Sequence, residues 1–381
     1  MGMKIGVIGA GSTYTPELVE GLLRRQEAIG LDELTLMDID DEKLGVVGGL
    51  ARRMVERAGA PFTVRLTTER LDAIRDAAFV LTQMRVGRLA ARRKDELIPR
   101  QQGFIGQETT GPGGFAKALR TIPVILQVAH EMEEHAPGAI MINFTNPAGL
   151  VTEAVLTHSD VNAIGLCNGP LGTRKAIVAA LGARDHDVSM RYFGLNHLSF
   201  AADIALQGRD VTDRVIEALA RDADATDAAV LRALRMVPSN YLQYYYRTAE
   251  KLEEQRREER SRAEQVMEIE EQLLALYRDP DLTEKPAILE KRGGGLVQHG
   301  RDGPHGLDRQ QHGRRPHCQH TQSRRHRRPT ARVRRRGGRR HRRARGHAAH
   351  AGTIALTCAR PRAAGEGVRA TDRPGGRDRR P

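Results

Sequence analysis

Lys4-Ile5-Gly6-Val7-Ile8-Gly9-Ala10-Gly11-Ser12 decides the fold class of this chain. An apolar run of strand length feeds straight into a Gly-Ala-Gly turn. Pro16 then marks the first turn of a helix expected over 16–25. Strand, glycine turn and helix in that order form the phosphate-cradling start of a dinucleotide-binding unit. Gly9 permits the tight turn, and Gly11 lets the backbone, with Ser12 behind it, approach a pyrophosphate at the helix N-terminus. Tyr14 stands where the motif's third glycine falls, a departure from the pattern. A second strand over 34–37 ends at Asp38, well placed to accept from a ribose 2′-hydroxyl, which favours NAD over NADP.

Downstream, helices at 41–58, 71–76, 118–135 and 148–157 alternate with strands at 64–66, 79–83, 139–144 and 163–166. Such alternation predicts an α/β, Rossmann-like doubly wound parallel sheet with helices on both faces, of the lactate/malate dehydrogenase type. From about residue 188 the pattern loosens into strands, a cluster of Tyr241, Tyr244, Tyr245 and Tyr246, and one long charged helix over 248–277. The expected organisation is an NAD-binding domain over 1–165, an α+β substrate and metal domain over 166–292, and a disordered tail over 293–381.

The formal net charge of +13 invites a nucleic-acid reading, but its distribution argues otherwise. Residues 1–300 hold 37 basic and 43 acidic residues, a net of −6, whereas 301–381 hold 24 Arg, no Lys and five acidic residues. The tail has no aromatic residue and one isoleucine, Ile354, so it cannot bury enough apolar surface to offset its ordering entropy. Cys167 is the only cysteine before the tail, which excludes a disulfide framework there and fits a reducing cytoplasm. The first strand begins at once, which predicts no signal peptide, and no apolar run reaches the roughly 18 residues of a membrane span.

The chemistry concentrates in three short stretches, Asn143-Phe144-Thr145-Asn146-Pro147, Cys167-Asn168 and Asn196-His197. A free cysteine is usually a small buried hydrophobe, and a lone histidine is usually a satisfied core or surface group. Here the first ends a strand-like run, and each stands beside an asparagine downstream of a nucleotide turn. Cys167 and His197 are therefore candidate ligands of a divalent metal, leaving open positions for substrate oxygens. Gln107-Glu108-Thr109-Thr110-Gly111-Pro112-Gly113-Gly114 is too polar and glycine-rich for core and reads as an active-site loop.

From Met3 to about Arg292 these residues resemble glycoside hydrolase family 4, the NAD- and metal-dependent glycosidases. The resemblance covers Gly9-Ala10-Gly11-Ser12, Arg85-Val86-Gly87, Arg92 with Asp95-Glu96, and Gly106-Gln107-Glu108-Thr109. It continues through Phe144-Thr145-Asn146-Pro147, Cys167-Asn168, Asn196-His197-Leu198, the 241–246 tyrosine cluster and Arg262-Ala263-Glu264. Cys-Asn rather than Cys-Asp is similar to the 6-phospho-β-glucosidase branch.

The resemblance implies a hydrolase outside the two-carboxylate scheme of most glycosidases. NAD⁺ takes a hydride from C3 of the sugar, a base removes the acidified C2 proton, the aglycone leaves C1, water adds, and the hydride returns. A divalent metal, Mn²⁺ by resemblance, polarises the sugar oxygens. Carried over by position, Cys167 and His197 hold the metal, and Arg92, Asn146 and Arg262 contact the phosphorylated sugar. Tyr241 is the first choice of base and Tyr245 the next, Glu108 supports its basicity, and Asn168 contacts substrate. The substrate would be a phosphorylated disaccharide such as cellobiose 6-phosphate, or an aryl glucoside 6-phosphate. The protein would be a homo-oligomer with no nucleic-acid or membrane partner.

Beyond its Arg-Gly-Gly the family runs Gly-Ala-x-Tyr-Ser-x-x-Ala, whereas this chain reads Gly295-Leu296-Val297-Gln298-His299-Gly300. Back-translated with GC-rich codons and read one nucleotide later, the stretch yields Trp-Tyr-Ser-Thr-Ala-Ala-Met. The expectation is a reading frame lost near Gly294, which cuts short the substrate domain and empties the tail's basicity of meaning. Two competing readings remain. A malate- or lactate-type NAD-dependent dehydrogenase would share the body's fold but would accumulate NADH. An RNA-binding protein would rest wholly on the arginine tail.

Overall fold

A computed structural model describes residues 2–292. The tail over 293–381 and the frame change proposed for it lie outside the described residues. Strands β1 (Met3–Ile8), β2 (Leu31–Met37), β3 (Thr63–Thr67), β4 (Phe79–Thr82), β5 (Ile140–Asn143) and β6 (Asn162–Gly165) form one parallel sheet. Its order is β3-β2-β1-β4-β5-β6. The chain reverses direction of travel at β1/β4, and in a doubly wound sheet a ligand crevice opens at the carboxyl ends of those two strands.

The central strands bury mostly apolar side chains because helices cover both faces. Val7, Leu34, Leu36, Val80 and Met141 are wholly buried. Helices Thr15–Leu23 and Asp41–Arg57 close one face through Val19, Leu22, Leu44, Val47 and Leu50. The second of these begins where the Asp40 carboxylate accepts from the Lys43 N–H, a side-chain cap. Helices Gly111–His135 and Ala148–His158 close the other face through Ile125, Val128, Met132, Val151 and Val155. Truncating one such residue, Leu50→Ala for example, would cost about 2–5 kcal/mol.

A second, antiparallel sheet is built on β7 (Val188–Leu195) and β8 (Leu198–Leu206), with β9 (Arg209–Asp210) and β10 (Val237–Pro238) both pairing with β8. Leu195 pairs with Leu198, so Asn196-His197 is the two-residue turn between β7 and β8. Helices Asn168–Leu181, Thr212–Asp222 and Ala225–Leu234 pack on this sheet around Ile177, Ile204, Val215 and Leu231. The last long helix among the described residues, Arg262–Tyr277, returns to the first sheet. Its Tyr277 is wholly buried and its hydroxyl donates to the Thr13 carbonyl at 2.8 Å.

Three local expectations are corrected. The charged helix over 248–277 is two helices, Thr248–Arg257 and Arg262–Tyr277. A capping box restarts the second: Ser261 Oγ accepts the Glu264 N–H and Glu264 accepts the Ser261 N–H. A helix over Arg88–Gln101 has no counterpart in the sequence reading, because its buried face carries Arg92, Asp95 and Glu96 instead of an apolar stripe. Finally, only 107–110 of the expected active-site loop is loop. Gly111 starts a helix, and Gly113 is glycine for close packing, since a Cβ there would sit 2.2 Å from the Asp95 carbonyl oxygen.

Candidate active site

The crevice at β1/β4 has a volume of about 1130 Å³, and every candidate residue named from the sequence lines it except Tyr245. Its walls carry eight basic and four acidic side chains, an excess of positive charge suited to phosphorylated ligands.

At the nucleotide end, the Gly9 and Ala10 N–H groups both donate to the Met37 carbonyl at 2.9 Å, folding the turn onto β2. Gly9 has φ +89°, and a Cβ there would lie 2.7 Å from the Met84 backbone, so both conformation and space demand glycine. The Gly11 N–H donates to Asp38 Oδ2 at 2.8 Å and the Asp40 N–H to Asp38 Oδ1 at 3.0 Å. The carboxylate is thus fixed at the end of β2, where a dinucleotide's ribose would lie. A glycine turn closed to any side chain, followed by that acid, fits NAD.

Deeper in the crevice, Cys167 caps helix Asn168–Leu181, its Sγ accepting the Gly169 N–H. His197 reaches it from the β7–β8 turn with φ +66°, and its Nε2 lies 3.5 Å from Sγ. Bonds of about 2.3 Å to a thiolate and about 2.0–2.1 Å to an imidazole, at 90–110°, would span about 3.1–3.6 Å. The pair therefore fits one divalent ion. Among the described residues no group of three or more His, Cys, Asp or Glu could hold a metal, so an ion here would have only these two as protein ligands of those types. Burial pushes His197 down to about 4, against a partial pull upward from Glu108. Burial also pushes the Cys167 thiol up. A metal would have to displace the thiol proton on binding.

Tyr241 stacks flat on the His197 ring, with centroids 3.5 Å apart and planes 5° from parallel. Tyr244 meets Tyr241 edge-on and also lines the crevice. Tyr245, the second choice of base, is 73 % exposed and does not line the crevice.

Glu108 is the hub of the charged interior. Its carboxylate pairs with Arg85, with Lys117 Nζ at 2.6 Å and with Arg92 Nη1 at 3.1 Å. Burial alone would raise its pKa, but the three cations more than offset this and hold it well below the usual carboxylate range. Lys117 faces the reverse balance. Burial lowers it to about 8, Glu108 raises it, and Arg85 and Arg92 push it down again. Arg92 also pairs with Glu96 at 2.7 Å, while Glu96 accepts the Ala263 N–H at 2.7 Å, tying helix Arg88–Gln101 to the start of Arg262–Tyr277. Arg262 is half-buried and its pKa is lowered, first by burial and then by the charge of Arg92. Two guanidinium groups that repel each other in a buried wall favour an anion between them. Asn146 and Asn168 present carboxamides to the same space.

Sequence reasoning assigned no role to Arg85, Lys117, Gln107 or Thr109. For Lys117 a signal existed. Gly113, Lys117 and Thr121 follow at i, i+4 and i+8 on one buried helix face, and a lysine in a stripe of small residues calls for a carboxylate partner.

The family 4 glycosyl hydrolase model matches residues 4–183, and the model of that family's C-terminal domain matches residues 192–313. A probable 6-phospho-β-glucosidase of Bacillus subtilis is 48% identical, over 77% of this chain and 70% of its own length. A 6-phospho-β-glucosidase of Escherichia coli is 40% identical, over 77% and 69%. The solved structure of the 6-phospho-β-glucosidase from Thermotoga maritima with manganese, NAD⁺ and glucose-6-phosphate is 39% identical, with TM-score 0.72 over 77% of this chain and 70% of that one.

Proposed function

Because the chain belongs to family 4 of the glycosyl hydrolases, we propose that it is a 6-phospho-β-glucosidase, hydrolysing phosphorylated β-glucosides with NAD and Mn²⁺. The observation that carries the reading is the Cys167–His197 pair, 3.5 Å apart, in the same crevice as the Gly9–Gly11 turn and Asp38. A malate- or lactate-type dehydrogenase has no use for such a pair, and the relatives favour the glycosidase.

Bound NAD⁺ supplies a hydride acceptor for C3 of the sugar, and Mn²⁺ a Lewis acid beside its oxygens. Arg92, Arg262 and Asn146 seat the phosphorylated sugar, the two guanidinium groups answering the phosphate charge. Tyr241 takes the C2 proton as phenolate. In the free chain, burial, reinforced by Cys167 and Glu108, pushes its pKa above the usual tyrosine range, so the phenol stays protonated until positive charge enters beside it. Glu108 is held ionised by Arg85, Arg92 and Lys117, and its negative charge raises the basicity of that phenolate. Asn168 orients substrate, since an amide has no proton to give as a general acid.

The reading includes a nucleotide domain ending near residue 165, a substrate domain after it, a homo-oligomer and a cytoplasmic setting. Among the described residues no helix is long and apolar enough to cross a membrane. The decisive assay is hydrolysis of an aryl β-glucoside 6-phosphate. Turnover that needs NAD⁺, Mn²⁺ and a reductant, without net NADH, is expected. Full activity in EDTA, or steady NADH accumulation, excludes the glycosidase.

A further inference from the structure

Gln107 and Thr109 form a directed hydrogen-bond chain that ends on His197. Gln107 Oε1 receives the Thr109 N–H at 2.6 Å and the Thr110 N–H at 3.3 Å. Backbone N–H groups can only donate, so the atom facing them is the carbonyl oxygen, an acceptor without a proton. That same oxygen lies 2.7 Å from Thr109 Oγ1. The threonine hydroxyl has a single proton, and this contact uses it. Toward His197 Nδ1, 3.1 Å away, Oγ1 is then left only its lone pair. The proton of the neutral imidazole must sit on Nδ1, which leaves Nε2 bare toward Cys167 Sγ at 3.5 Å.

The opposite tautomer fails the same accounting. With the proton on Nε2, Nδ1 would need the Thr109 hydroxyl proton, and Gln107 Oε1 would face an oxygen lone pair at 2.7 Å. Electrostatic repulsion at that distance is avoided only in the first arrangement.

We propose that Gln107 and Thr109 are positioning residues that fix the tautomer and ring orientation of His197, holding its Nε2 lone pair ready for a divalent cation. The inference rests on the reading of Cys167 and His197 as metal ligands and adds the outer partners that such a ligand requires. It also explains why Thr109 stands in the loop that carries Glu108: one short stretch sets both the charged hub and the imidazole.

The test uses full-length protein labelled with ¹⁵N-histidine, freed of metal with EDTA. Long-range ¹H–¹⁵N spectra, with the His197 resonance assigned by its loss in His197→Ala, report which ring nitrogen bears hydrogen. Mn²⁺ affinity is read by electron paramagnetic resonance, and NAD binding serves as the check on folding. The wild type is expected to show Nδ1–H. Thr109→Val should lose that preference and bind Mn²⁺ about 10–100-fold more weakly, with NAD binding kept, and Thr109→Ser should restore both. An Nε2–H wild type overturns the proposal. So does Thr109→Val with undiminished Mn²⁺ affinity while His197→Ala loses it, which leaves the ligand assignment standing. Wild-type Mn²⁺ affinity in His197→Ala overturns the ligand assignment and the relay together.

Discussion

Glu108 and Lys117 share one ion pair, yet deleting the two partners should have unlike consequences for stability. Glu108 faces Arg85, Arg92 and Lys117, so Glu108→Gln leaves three mutually repelling cations in an interior where Lys117 is 2% exposed. Stranding buried charge in this way costs about 3–5 kcal/mol. Lys117 faces one anion and two cations. Its pKa falls from 10.5 to about 8, so carrying its charge costs about 3 kcal/mol at about 1.4 kcal/mol per pKa unit. Lys117→Met keeps much of the stem's volume, removes that cost and leaves Glu108 two cations. Its stability should be unchanged or higher, by at most about 3 kcal/mol. In thermal unfolding at pH 7, at about 2 °C or more per kcal/mol, Glu108→Gln should melt about 6 °C or more below wild type. Lys117→Met should melt at or above it. The pH dependence carries the same sign. Between about 8 and 10.5 the unfolded chain holds a Lys117 proton that the folded chain has released, so rising pH favours the folded state. The stability of wild type relative to Lys117→Met should climb across that window and be flat below it. A Lys117→Met protein that melts as low as Glu108→Gln would refute the reasoning.

Cys167→Ser and His197→Ala should each lose Mn²⁺ binding and turnover while retaining NAD, whose turn lies at Gly9–Asp38; retained Mn²⁺ affinity in either would move the ion elsewhere. Product formed in D₂O should carry deuterium at C2, and Tyr241→Phe should abolish that exchange while the exposed Tyr245→Phe keeps it. The reverse pattern would transfer the base to Tyr245, and no exchange in the unmutated enzyme would end the elimination scheme. Gly9→Ala should weaken NAD binding, because its Cβ would meet the Met84 backbone at 2.7 Å with φ +89° and left-handed backbone costs a non-glycine residue about 1–2 kcal/mol. Isothermal titration with NAD⁺ decides it, and wild-type affinity would mean that the turn opens freely.

What was legible in the sequence follows from where burial is apolar. β1, β4, β5 and the second half of β2 are short stretches rich in Ile, Val, Leu and Met between turn residues, so the parallel sheet could be read directly. Helix Arg88–Gln101 could not. Its inward face is held by Arg92 with Glu96 and by Asp95 with Arg120, so a test for apolar periodicity finds a polar segment. The break within the charged stretch at 248–277 is hidden for a related reason. Both halves are charged and of good helical propensity, and only the Ser261–Glu264 capping box marks the restart.

The candidate site divides along the same line. Residues set by chain direction, Gly9, Asp38 and Cys167, sit in turns that follow β1, β2 and β6, and a strand followed by a helix announces such positions. The choice among four tyrosines has no such marker. Tyr241 lies in the one-turn segment Asn240–Leu242 and Tyr245 in the four-residue helix Gln243–Tyr246, too short for any period to show which side faces the crevice. The relay from Gln107 to His197 is further still from sequence logic, because Thr109 and His197 are 88 positions apart and meet only when the β7–β8 turn comes down on the loop before helix Gly111–His135. A hydroxyl with one proton, facing an acceptor on one side and a ring nitrogen on the other, settles which atom of His197 is left bare. That deduction needs two distances and the donor count of each group, and neither distance exists until the chain has folded.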